Sequence, residues 1–121
     1  MENFKLVLRG DLNQNGYLYG GNLLKWIDEY AWIAATLDYP GSSFVTVALD
    51  NVTFKKSIKE GSILKFVIEK SKAGNTSVQY FITVYCNTYN CSSGMEPVFS
   101  THVTFVNLDA DGVKKNLPPS L

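Results

Sequence analysis

A single helical stripe, set in a chain otherwise patterned for strands, is the feature that most limits the fold. Leu23, Leu24, Ile27, Ala31, Ala34 and Ala35 recur at three- and four-residue spacing, which lays one continuous apolar face along a helix. Gly20-Gly21-Asn22 stands where that run begins, and Gly or Asn suits the capping position there. Pro40-Gly41 stops the helix. Tyr30 and Trp32 widen the apolar arc, so the helix is expected to be covered over much of its circumference.

The remainder reads as strands. Alternating or β-branched and aromatic runs predict them over residues 4–9, 44–54, 63–69, 78–86 and 98–108. Turn residues separate them: Asn15-Gly16, Lys59-Glu60-Gly61 and Ala73-Gly74-Asn75. Residues 87–97 form a polar loop. The order is strand, helix, then four strands on mostly short connections, which implies antiparallel pairing. One helix against one face of an antiparallel sheet is an α+β layer architecture, with the sheet curling around the helix. Phe44, Phe54, Phe66, Phe81, Phe99 and Phe105 are core candidates first and pocket candidates second. Trp26 and Trp32 are expected under the sheet or at a subunit interface.

At 121 residues the chain suits one domain, spanning 1–121. Eleven basic and eleven acidic side chains cancel, so no global field gathers nucleic acid or anionic lipid. No apolar run approaches the roughly 20 residues of a membrane span, and the first residues lack the apolar region of a signal peptide. The expected location is the cytoplasm. Cys86 and Cys91 are the only cysteines, and a reducing cytosol argues for two free thiols over a disulfide. Two cysteines and one histidine do not make a convincing metal site, and no cofactor is indicated.

Chemistry concentrates around the helix start. Gly20 and Gly21 would let a ligand approach the backbone closely. The first-turn amides there are unpaired, and the helix dipole adds positive character, which suits a developing oxyanion. Taken alone, the pair is at least as well explained by a tight turn and close packing. Asp28 lies mid-helix, where Asp is a poor former, and its helical neighbours are Leu24, Ala31 and Trp32. A carboxylate beside an apolar stripe is costly unless paired or put to use. It is either a general base or an edge Asp held by a nearby polar group. Glu29, four residues after Lys25, is by contrast a surface pair. Asn13 can donate and accept at once, though by itself it reads as a turn residue. Lys55 and Lys56 could meet phosphates, or form a solvated turn with Lys59. Gly74, Asn75, Thr76 and Ser77 could bind a ligand through backbone and hydroxyl groups, or make an ordinary hairpin. His102, alone in the last strand, reads as structural.

The set Asn13, Gly16, Gly20, Gly21 and Asp28, in the pattern Asn-x-x-Gly-x-x-x-Gly-Gly-x-x-x-x-x-x-Asp, resembles the signature of hotdog-fold acyl-CoA thioesterases. The pattern is similar to that of YciA-like bacterial hydrolases and of the cytosolic acyl-CoA hydrolases of animals. Residues 45–62, 72–78 and 104–118 resemble them in the same order. The resemblance implies an antiparallel sheet wrapped around one central helix, and homodimers or a trimer of dimers with the active site at the interface. It implies acyl-CoA as substrate, hydrolysed to free acid and CoA, with Asp28 as general base or nucleophile. Asn13 of the partner subunit would position water or the thioester, and Gly20 and Gly21 would bind the carbonyl oxygen. Two features depart from the pattern: Tyr19 precedes the glycine pair where relatives carry Phe or His, and the tail lacks a basic extension. The competing expectations are a non-catalytic acyl-CoA or acyl-carrier binding protein, and a hotdog hydratase or dehydratase, which the lack of a histidine near the helix disfavours.

Overall fold

The computed structural model describes residues 1–50, 52, 54, 56–86 and 96–121. Five strands and one long helix follow the expected order: β1 (Glu2–Leu6), α1 (Gly20–Asp38), β2 (Phe44–Leu49), β3 (Ile63–Ala73), β4 (Ser77–Cys86) and β5 (Phe99–Asn107), with a 3-10 turn at Arg9–Asp11. The sheet order is β1-β3-β4-β5-β2, and every pairing is antiparallel. The helix thus carries the chain from one edge of the sheet to the other. β1 and β2 are left as the two edges.

Alternation explains the layers. On β4, Val78, Tyr80, Ile82, Val84 and Cys86 face inward and are buried. Leu64, Phe66 and Ile68 on β3, and Phe99, Val103 and Phe105 on β5, do the same. They close on the helix face made by Leu23, Trp26, Ile27, Ala31, Ala34 and Ala35. The alanines let the sheet come near the helix axis. Register shifts at Lys70/Lys72 and at Thr46/Ala48 mark bulges, which sharpen twist and help a sheet wrap.

The helix bounds match expectation at both ends, but its cap does not. The N-cap is Tyr19, with no side-chain capping bond. Asn22 sits inside the first turn, and its Nδ2 donates to the Asp11 carbonyl at 3.1 Å. At the other end the Tyr39 N–H reaches the Ala35 carbonyl, and Gly41 takes φ +87°, which only glycine adopts freely. Trp32 is exposed within one chain rather than packed under the sheet, its Nε1 donating to the Phe44 carbonyl at 3.3 Å.

Strand lengths differ from expectation where a purely local pattern misleads. β1 ends at Leu6, because Val7 turns to exchange backbone bonds with Gly61 and Ser62. β2 ends at Leu49, and Phe54 is about half exposed rather than core. β3 continues past Glu69 to Ala73, with Lys70, Lys72 and Ala73 held by pairing with β4. Cys86 is disulfide-bonded, against the expectation of two free thiols; Cys91 and the loop expected at 87–95 lie outside the described residues. Among the described residues no helix is long and apolar enough to cross a membrane.

Candidate active site

The segment between the 3-10 turn and α1 builds a cleft of about 680 Å³ at the helix N-terminus. Asn13, Tyr17, Tyr19, Gly20 and Leu23 line one side, and Phe54, Lys56 and Ile58 the other. Backbone bonds fix this frame: Leu18 N–H to the Ile58 carbonyl at 2.7 Å, and Tyr19 N–H to the Asp11 carbonyl at 3.0 Å. The amides of Asn22 and Leu23 turn back to the Tyr19 carbonyl. Among the described residues, the N–H groups of Gly20 and Gly21 meet no acceptor. They are the two donors that a helix start leaves over for a ligand.

Asn13 is both a turn residue and a cleft residue. Its Oδ1 accepts the N–H groups of Asn15 at 2.9 Å and Tyr17 at 3.2 Å. That commits the oxygen to the Asn15-Gly16 turn, where Gly16 takes φ +83°. The Nδ2 amide remains, so Asn13 can offer a ligand donors but not an acceptor. Asn13 and Gly20 therefore present N–H groups to one cleft within one chain.

Asp28 does not line this cleft. It lies eight residues beyond Gly20, about 12 Å along the helix. Its side chain is half-buried, on the helix flank beside the edge strand β2, and its Oδ1 accepts the Thr46 hydroxyl at 2.6 Å. The carboxylate is thus held by one bond, with Oδ2 left for another partner. Thr46 was not legible as a site residue from local pattern, yet chain geometry contains the clue. Counting from the reversal at Pro40-Gly41, Asp28 lies about 18 Å back along the helix and Thr46 about 17 Å forward along an extended strand.

The remaining candidates divide. Lys56 lines the cleft and stands 3.9 Å from Glu96; Lys55 lies outside the described residues. Gly74, Asn75, Thr76 and Ser77 make the β3–β4 hairpin and do not line the cleft. Gly74 N–H bonds to the Ser77 carbonyl, while the carbonyls of Asn75 and Thr76 accept from Leu117 and Asn107. Within one chain that turn anchors the tail. His102 faces away from the helix, its Nδ1 3.1 Å from Asp50 Oδ2.

Comparison with known proteins places the fold. The description of the thioesterase superfamily matches residues 15–90, the stretch that holds Asp28 and the cleft lining other than Asn13. Protein VdlD of Helicobacter pylori is 37% identical over 79 residues, 65% of this chain and 45% of that protein. The chain thus spans about half the length of this curated relative. Acyl-coenzyme A thioesterase 11 of Mus musculus is 32% identical over 102 residues, 84% of this chain and 17% of that protein. Among solved structures, a hexameric thioesterase from Yersinia pestis superposes with a TM-score of 0.85 at 26% identity, covering 96% of this chain and 93% of that one. An acyl-CoA hydrolase from Staphylococcus aureus, solved with butyryl coenzyme A and coenzyme A, gives 0.80 at 31% identity over 98% of this chain and 68% of that one. That hydrolase was also solved with an asparagine, an aspartate or a threonine replaced by alanine. A helix held in a five-stranded antiparallel sheet, a cleft at the helix start and these matches together identify the chain as a hotdog-fold member of the thioesterase superfamily.

Proposed function

We propose that the protein hydrolyses acyl-CoA thioesters, with each active site assembled from two copies of the chain. The observation that carries this is the pair of N–H groups at Gly20 and Gly21 that meet no acceptor among the described residues, the first of them on a residue lining a cleft that also holds Asn13. Donors aimed at one point in a water-poor cleft stabilise charge as it develops on a carbonyl oxygen. Asp28 is too far along the same helix to act on that carbonyl, so the carboxylate comes from the partner subunit. This reverses the expected division, in which Asn13 was the partner's contribution to a site holding Gly20, Gly21 and Asp28 of one chain.

In the reaction a water oxygen bonds to the thioester carbon and the carbon–sulfur bond breaks. Asp28 takes the water proton, and the CoA sulfur leaves as thiolate and is protonated. Alternatively the Asp28 carboxylate attacks first and water opens the resulting anhydride. Thr46 is a positioning residue that fixes one carboxylate oxygen and leaves the other toward the reacting atom. The Staphylococcus aureus variants support these assignments. The asparagine and aspartate replaced there stand 15 positions apart, as Asn13 and Asp28 do. Its threonine follows the aspartate by 17 positions, one fewer than separates Thr46 from Asp28. Lys56, at the mouth of the cleft, suits the CoA phosphates, and Lys55 beside it in sequence is offered for the same role. Gly74 to Ser77 would reach CoA only from a further copy.

The edge strand supplies the pairing surface. Among the described residues β2 pairs as a strand with β5 alone, and Val45, Val47 and Trp32 beside it are exposed. An open apolar edge invites a matching strand. A second β2 in antiparallel register would complete the sheet as a two-fold dimer, from which a trimer of dimers can grow.

The deciding measurement is CoA release, followed with a thiol reagent, across short, medium and long acyl-CoA esters. Turnover of at least one ester is expected. Tight binding of acyl-CoA without any release would make the chain a carrier and overturn the hydrolase reading.

A further inference from the structure

The glycine pair has a second role that its amides do not explain. A Cβ built on Gly21 would fall 2.6 Å from Cε2 of Tyr19, and one built on Gly20 would fall 2.8 Å from Cζ of Phe54. Neither glycine has positive φ, so the backbone itself would accept alanine at both positions. Alanine is also the better helix former. What glycine provides here is a seat: each Cα carries an aromatic ring lying flat against it. The Phe54 ring is further braced by Phe99, with centroids 5.2 Å apart at 26°. Both Tyr19 and Phe54 are about half exposed, and both line the cleft.

From this we infer that Tyr19 and Phe54, seated on Gly21 and Gly20, are the residues that select the acyl group, admitting unbranched chains and excluding branching next to the carbonyl. The inference rests on the thioesterase reading above. The argument is one of distance. If the Gly20 and Gly21 amides hold the thioester oxygen, rings resting on those same two residues crowd the carbon attached to the carbonyl. A methylene chain passes between them, whereas a second substituent on that carbon meets a ring edge. Tyr19 is the more telling of the two, because it belongs to the helix cap and moves with the amides. Its ring is the end of a flexible side chain, so bulk added at Gly21 displaces the ring and leaves the backbone in place.

The test compares butyryl-CoA with isobutyryl-CoA, which differ only in branching at that carbon. Their kcat/KM ratio is measured for the wild type, Tyr19→Ala, Tyr19→Phe, Gly21→Ala and the Tyr19→Ala/Gly21→Ala double variant. Tyr19→Ala is expected to raise the isobutyryl share roughly tenfold, within the range one methyl group commands in a fitted pocket. Tyr19→Phe keeps the wild-type ratio. Gly21→Ala changes the ratio when Tyr19 is present and leaves it unchanged in the Tyr19→Ala background, the non-additivity of two groups in contact. A ratio unmoved by Tyr19→Ala, or a Gly21→Ala effect equal in both backgrounds, overturns the inference. Dissociation constants of the two esters are measured in parallel. A wild type that binds but does not hydrolyse them would sink the hydrolase reading, while the ring assignment would still be decided by the binding ratio; a wild type that neither binds nor hydrolyses them would sink both.

Discussion

Asp28 and Asp50 are both held carboxylates, and they are held for different ends. Among the described residues Asp28 accepts one side-chain bond, from Thr46, which leaves its second oxygen to serve the base role proposed above. Asp28→Asn keeps the shape and removes the base. It is expected to lower kcat by at least about 100-fold, the low end for a positioned acid–base group, with unchanged circular dichroism. Thr46→Val should cost less, because the carboxylate survives but loses its orientation; a loss equal to that of Asp28→Asn would make Thr46 a reacting group instead.

Asp50 is saturated by comparison, accepting from the His102 N–H at 2.7 Å and facing the His102 imidazole. Desolvation, the largest single influence, pushes its carboxyl up, but the His102 amide and imidazole and the Thr101 hydroxyl together outweigh it and hold it below the ordinary carboxylate value. A carboxyl whose folded pKa is depressed contributes stability that is fully present above its unfolded pKa, near 3.9, and is lost as pH falls through the folded value. The stability gap between wild type and Asp50→Asn is therefore expected to be flat near neutrality and to shrink below about pH 4. Urea denaturation at a series of pH values measures it, and a gap that widens on acidification would contradict the assignment.

The helix was legible in the sequence because three independent signals coincide there: the spacing of Leu23 to Ala35, glycines at one end and Pro40-Gly41 at the other. The middle strands were legible because one face is buried and alternation survives. The edges were read less well. β1 was placed two residues late and β2 carried five residues too far, since an edge strand is bounded by its one neighbour and not by its own pattern. Phe54 shows the same limit. As an aromatic residue in a β-rich run it reads as core, yet it stands against Gly20 at the cleft. Asp28 and the glycine pair were legible as candidates, but their separation by about two helical turns is a matter of distance along the helix that the residue pattern alone did not bring out.

At the end of β5, Asn107 ties three elements together. It is buried, its Oδ1 accepts the Ser43 N–H at 2.7 Å, its Nδ2 donates to the Asn116 carbonyl at 3.0 Å, and its own N–H reaches Thr76. Asn107→Ala would strand the Ser43 donor just where the chain enters β2. A loss of about 1–3 kcal/mol in unfolding free energy is expected, the cost of an unmade bond in a covered place. Asn107→Asp, which restores the acceptor, should recover part of it.

For the whole molecule, the proposed division of the site makes a prediction that no single-chain enzyme shares. Asp28→Ala and Asn13→Ala should each be nearly inactive alone. In a two-fold dimer containing one of each, one site carries both lesions and the other carries neither. Co-refolding equal amounts should restore about a quarter of wild-type activity, because half the dimers are mixed and each has one intact site. No recovery on mixing would place both residues in the same chain's site.

The open margin of β2 carries this one step further. If the carboxylate and the amides that serve one thioester belong to different molecules, the protein's own concentration becomes a reagent. Specific activity should then fall on dilution, and a plot of rate against enzyme should curve upward from the origin before it straightens. A cell could throttle such a catalyst by making less of it and obtain more than a proportional response.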